Sequence, residues 1–234
     1  MSDGSVAEQM PTKFAVIKTD PDGIKNDEVY FAAHLDRYPV EDVPEGVEVM
    51  AMSNVAGMRE DMSSKVVDKV VPSLIENNLK LLPIYMGLPS DAKLDPKNSI
   101  SGHEMPYTDK GFDGWRRTVA SWTAKLKDVV DRYEIWNEPN IWGFNKFLDK
   151  CQGDVYTRLC QIAREEIDKI DPGSKLGGPS ITGISMNATS TTAGKPYFDD
   201  CMKEGMWKYV DACVLHPYTT SSAEDAGMIE VLSE

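Results

Sequence analysis

Short apolar runs alternate along this chain with longer stretches of helical period, and that alternation admits few folds. A strand that returns parallel to its predecessor needs a crossover of a dozen or more residues, usually a helix. The runs Phe14–Ile17, Val47–Met52, Leu81–Met86, Tyr133–Trp136, Lys175–Gly177 and Val210–Leu215 read as six strands. They lie roughly 30 to 50 residues apart, which leaves room each time for a loop, a helix and a return loop. The expected fold class is therefore α/β with a parallel sheet. Residues 1–12 are a polar start expected to be flexible, and 1–234 reads as one domain.

The helix after the third run has the plainest pattern: Trp115, Val119, Trp122, Leu126 and Val129 recur at steps of four and three. That stripe is expected to be core rather than a sugar-stacking platform. Val155, Leu159, Ile162, Glu166 and Ile170 repeat it with one polar lapse, and Asp171-Pro-Gly173 stops the helix. Pro72 interrupts the periodicity between Ser63 and Asn78, so a kink or a restarted helix is expected there. Gly87 to Gly111, rich in Pro, Gly, Ser and Asp, reads as a long loop after the third strand.

Several function classes drop out on composition. The formal charge of −13, 25 basic against 38 acidic residues, opposes a nucleic-acid partner, which needs surplus Lys and Arg to displace counterions. No stretch is long and apolar enough for a membrane helix, and Met1 to Met10 carries no apolar core of a signal peptide, so localisation is left open. Cys151, Cys160, Cys201 and Cys213 contain no C-x-x-C and are expected to be buried free thiols. The three histidines have no metal spacing, so neither metal nor cofactor is expected; His34 reads as a packed core residue and His103 as a loop residue able to touch a ligand. A Gly-x-Ser-x-Gly elbow and a paired Cys and His are both missing, which removes the common acyl-transfer enzymes.

The chemistry-bearing segment is Tyr133-Glu-Ile-Trp-Asn-Glu-Pro-Asn140. Tyr133, Ile135 and Trp136 form an apolar strand, and Pro139, which has no N–H to give a ladder, ends it just where the Glu138 carboxylate appears. Cleaving an acetal requires a proton donor for the leaving oxygen and a second carboxylate to stabilise or trap the oxocarbenium-like sugar. A carboxylate held at a strand end suits the first role. Trp142 and Phe144 follow closely and lie outside any helical stripe, so stacking on a sugar and ordinary rim packing are both open for them.

Trp-Asn-Glu-Pro resembles the strand-4 motif of the retaining glycoside hydrolases whose two catalytic glutamates sit at the ends of strands 4 and 7 of a TIM (β/α)8 barrel. Within that group the segment looks most like family 39, the β-xylosidase and α-iduronidase type. Lys175-Leu-Gly-Gly-Pro-Ser180 and Val210-Asp-Ala-Cys-Val-Leu-His-Pro-Tyr218 are similar to strands 5 and 6 of that family. The resemblance runs from about Asp61 to Tyr218 and implies a double-displacement hydrolase of oligo- or polysaccharides. It implies Glu138 as the acid/base, Asn137 as a partner of the sugar 2-hydroxyl, and His216, Tyr218 and Trp142 as sugar-binding residues. Small residues in the strand-5 motif are expected to let the loop turn close to the ligand. A family 5-like endoglucanase or mannanase and a non-catalytic sugar-binding barrel are the alternative readings.

Only 16 residues follow Tyr218, and from Ser221 they read as a helix. About six of eight βα units are thus expected, with strand 7 and its nucleophilic carboxylate missing from this chain. Glu234 superficially resembles a strand-7 ending, but the segment after Tyr218 is too short for the helix and loops that would precede one. Such a fragment is expected to be inactive alone.

Overall fold

The computed structural model describes residues 32–33, 43–52, 57–94, 103–182 and 194–216. The order is β1 (Ala32–Ala33), α1 (Val43–Met52), β2 (Gly57–Asp61), a π-helical turn (Val66–Val70) running into α2 (Val71–Glu76), and β3 (Lys80–Tyr85). There follow α3 (Asp109–Leu126), β4 (Arg132–Ile135), α4 (Gly153–Ile170), β5 (Lys175–Thr182), α5 (Gly194–Lys203), a 3-10 turn (Met206–Lys208) and β6 (Ala212–His216). Every strand pairs parallel with the next, in the order β1-β2-β3-β4-β5-β6. Right-handed crossovers that always step the same way put all the helices on one face and curl the sheet, as in part of a (β/α)8 barrel.

The expected strands at 81–86, 133–136, 175–177 and 210–215 are β3, β4, β5 and β6, each shifted or extended by a few residues. Val47–Met52 is a correction: it lies in α1. Val43, Val47, Met50 and Ala51 follow the helical i, i+4, i+7, i+8 spacing, and Val47 and Met50 are buried core; a short apolar run fits a buried helix as well as a strand. The true second strand, Gly57-Met-Arg-Glu-Asp61, has three charges in five residues and no alternation to betray it. The first described strand is Ala32–Ala33; the run Phe14–Ile17, residues 1–12 and His34 lie outside the described residues.

Pro72 stands near the start of α2, directly after the π-helical turn, so the helix changes character at the proline as expected. Helix α3 begins at Thr108, whose hydroxyl accepts from the Gly111 amide at 3.1 Å. Trp115, Val119 and Leu126 are fully buried, and the Trp115 indole donates to the Leu159 carbonyl of α4 at 3.1 Å. The polar lapse in α4 is satisfied across the same interface. Glu166 bonds Arg116 of α3 and, at 2.7 Å, Lys169; burial pushes its carboxyl up, and these two cations outweigh that and hold it below the usual range.

A contact from α4 bolts β4 in place. The Tyr156 hydroxyl of α4 donates to the Ile135 carbonyl at 2.5 Å, and a Cβ added at Gly178 of β5 would fall 2.3 Å from that hydroxyl oxygen. Gly178 is therefore needed for the approach of Tyr156. Cys151, Cys160 and Cys201 are buried as expected, and burial pushes the first two thiols up to about 12. Cys213 is exposed, contrary to expectation: it lies on β6, for which no further strand is paired among the described residues. A disulfide reagent at mildly alkaline pH should modify one of these four thiols quickly and the other three only on unfolding. Two fast equivalents would contradict this burial.

Candidate functional site

The site grows from the end of β4. The ladder does not stop at Ile135: the Trp136 amide donates to the Tyr85 carbonyl of β3 at 3.0 Å, and the Glu138 amide to the Ser180 carbonyl of β5 at 2.8 Å. Both neighbouring strands thus hold the segment while its backbone turns out of the sheet, with Trp136 at φ +63° and Glu138 at φ +42°. Beyond Pro139 the turn is fixed from below. Asn140 is fully buried, gives its amide to the Thr182 carbonyl at 2.9 Å and accepts from the Thr182 amide at 3.2 Å. The Asn145 amide group bonds the carbonyls of Pro139 and Cys151, and the Trp136 indole donates to the Phe144 carbonyl at 2.7 Å. A carboxylate on such a loop is held about as firmly as one on the strand itself.

Glu138 is buried, and its Oε1 lies 2.9 Å from Nδ1 of His216 at the end of β6. Arg59 of β2 reaches the same point. Its Nη2 donates to Asn137 Oδ1 at 2.9 Å and lies 3.3 Å from His216 Nε2. Nη2 has two hydrogens and three neighbours, and the shorter contacts, to Glu134 and Asn137, take them. Nδ1 is the ring nitrogen of His216 that faces Glu138. Asn137 turns its carbonyl oxygen to Arg59, so its NH2 group remains to donate.

Arg59 is itself fixed by Glu134, the inward-facing acid of β4, which is 1% exposed. Nε and Nη2 of Arg59 donate to its two oxygens at 2.7 and 2.6 Å, and the Ser180 hydroxyl adds a third bond. Four strands, β2, β4, β5 and β6, thus contribute to one buried network. Sequence reading missed both Arg59 and Glu134. The signal was present in Glu134: an acid inside the buried run of Tyr-Glu-Ile-Trp demands a cation from elsewhere in the fold.

Of the residues expected at the site, the structure brings together Asn137, Glu138 and His216. Trp142 is 62% exposed and stands apart, its ring capped by Lys146 with Nζ 4.9 Å from the centroid. Phe144 packs against His103, ring centroids 5.3 Å apart. Tyr218 and the segment after it lie outside the described residues. Among the described residues no cluster of His, Cys, Asp and Glu has metal-binding geometry, and no helix is long and apolar enough to cross a membrane.

No known family profile matches the chain. A β-xylosidase of Geobacillus stearothermophilus is 26% identical over 136 residues, 51% of this chain and 24% of that protein. Among solved structures, a GH39 β-xylosidase from Caulobacter crescentus superposes with a TM-score of 0.57 over 88% of this chain and 49% of its own, at 17% identity. The fold is that of the barrel glycosidases. A family 1 β-glucosidase from Thermotoga maritima shares it more distantly, with a TM-score of 0.52, 13% identity, and coverage of 77% of this chain and 54% of the other. This chain spans about a quarter of the length of the curated relative and about half of those structures.

Proposed function

We propose that this chain supplies the acid/base half of a retaining glycoside hydrolase of the GH39 type, acting on oligo- or polysaccharides. The observation that carries the reading is the pairing of a buried Glu138 with Nδ1 of His216 at 2.9 Å, beside an Asn137 amide whose donors point away from Arg59. In the first step Glu138 protonates the glycosidic oxygen as the bond to the anomeric carbon breaks. In the second it takes a proton from the attacking water. Asn137 donates to the sugar 2-hydroxyl, a contact that strengthens as the ring flattens. His216 fixes the acid's orientation and, with Tyr218, borders the sugar.

Double displacement needs a second carboxylate about 5 to 5.5 Å from the acid. Glu134 is unsuited, because Arg59 holds both its oxygens. The reading assigns the nucleophile to no residue of this chain, in keeping with a family that carries it on a seventh strand. The 234-residue chain alone should therefore not turn over 2,4-dinitrophenyl β-xyloside. A barrel extended through eight strands should release β-xylose first, seen by proton NMR before mutarotation. An α anomer as first product would overturn retention. Turnover by the 234-residue chain, lost in Glu138→Gln, would place a nucleophile within it.

A further inference from the structure

Glu134 and Asn137 stand three residues apart on one segment, yet the link between their side chains runs through Arg59, 75 and 78 residues away in sequence. Asn137 lies two residues past the end of β4, between Trp136 and Glu138, which both have left-handed backbone. Among the described residues its side chain makes one hydrogen bond, the 2.9 Å contact from Nη2 of Arg59. The geometry points to Glu134 as a positioning residue for sugar recognition: by clamping Arg59, it fixes which end of the Asn137 amide is offered to the sugar 2-hydroxyl. The inference rests on the glycosidase reading for the role of Asn137, and carries that role one step back to the residue that sets the amide's direction.

The clamp works because a guanidinium is flat and can only donate. Nε and Nη2 each give a hydrogen to one oxygen of Glu134, at 2.7 and 2.6 Å. Two such parallel bonds fix the plane of the group and its rotation within that plane. The second hydrogen of Nη2 is then left with one direction, and in that direction it meets Asn137 Oδ1. If the Asn137 amide turned over, its NH2 group would face Nη2 donor to donor. The carbonyl oxygen is therefore held toward Arg59 and the NH2 group away from it.

A clamp must itself be still. Glu134 is 1% exposed, lies in register with Ile84 of β3 and Gly177 of β5, and takes a further bond from the fully buried Ser180 hydroxyl. An arginine side chain without such a partner has many rotamers, and a donor that wanders cannot orient an amide. A buried ion pair that served stability alone would be complete with its two parallel bonds. Here the next hydrogen goes to the residue beside the acid, whose side chain has no other bond among the described residues.

The first test needs no sugar. In the 234-residue chain, nitrogen relaxation of the Asn137 side-chain NH2, assigned from Asn137→Asp, reports how firmly the amide is held. The expected order parameter is about 0.85 in the parent, as for rigid backbone, and below about 0.6 in Glu134→Gln. Gln keeps the shape of Glu but offers one oxygen, and its own NH2 opposes the other Arg59 donor. An NH2 that is mobile in the parent, or still rigid in Glu134→Gln, would overturn the proposal. If Glu134→Gln does not fold, Arg59→Lys decides by the same criterion, since it keeps a cation against Glu134 and removes the fork. The second test reads the consequence in a barrel of eight strands. Glu134→Gln should lower kcat/KM for 4-nitrophenyl β-xyloside about tenfold, the worth of one hydrogen bond. It should leave the 2-deoxy analogue within a few-fold, because that substrate has no hydroxyl for Asn137 to hold. Equal losses on the two substrates would make Glu134 a structural residue, overturning the proposal with the glycosidase reading intact. Turnover of neither substrate by the parent barrel would remove that reading, and the assigned 2-hydroxyl contact with it.

Discussion

In a barrel closed by eight strands, Glu138→Gln is expected to lower kcat/KM for alkyl and sugar leaving groups by about 100- to 10,000-fold, the usual worth of a positioned general acid. The same change should leave kcat/KM for 2,4-dinitrophenyl glycosides within a few-fold, because that leaving group departs without a proton. The substitution isolates the chemistry. Gln has the shape of Glu, keeps a hydrogen-bonding group beside Nδ1 of His216, and loses only the transferable proton. The ratio kcat/KM is the quantity to compare, since it reports the step in which the glycosidic bond breaks. Turnover of the activated substrate should itself fall, because the same residue activates water in the second step. Equal losses of kcat/KM for both kinds of leaving group would remove Glu138 from the acid's role.

The second large effect is on stability and needs no substrate. Arg59→Met leaves the Glu134 carboxylate, 1% exposed, with the Ser180 hydroxyl in place of a bidentate cation. Breaking a buried pair from one side costs about 3 to 5 kcal/mol, since the remaining charge is neither solvated nor neutralised. For a domain of this size each kcal/mol lowers Tm by roughly 2 to 4 °C. Urea denaturation at constant slope measures it. Replacing both partners, Arg59→Met with Glu134→Leu, should recover most of the loss, because the pair's own net contribution is small beside the penalty for orphaning one member. A single-variant loss under about 1 kcal/mol would place the pair in the solvent-screened class instead.

The central strands and the two long helices were legible because each repeats one period over several turns or sits between clear breakers. Trp115, Val119 and Leu126 mark α3, and Asp171-Pro-Gly173 closes α4. Strand β2 was not legible, since Arg59, Glu60 and Asp61 occupy positions where pattern reading looks for Val or Ile. What makes β2 cryptic is the same thing that makes it useful: it delivers a cation to the barrel interior, and its partner is 75 residues away in sequence. Glu138 could be read because a proline marks the strand end locally. His216 could be read from its own strand. Their meeting at 2.9 Å depends on the register of β4, β5 and β6, which no single segment encodes. Val47–Met52 went wrong for the opposite reason, a short apolar run that belongs to a helical face packed on the core.

The left-handed backbone at Trp136 and Glu138 sets the direction in which this site can drift. A non-glycine residue there gives up about 1 to 2 kcal/mol relative to an ordinary conformation, and two such residues lie within three positions. Glycine at 138 would relax the turn, and the same change would delete the acid. Selection for thermal stability alone therefore runs downhill away from the carboxylate. Any programme to harden this fold has to hold position 138 fixed and seek its gains in the helical layer, where firmness and chemistry are not in competition.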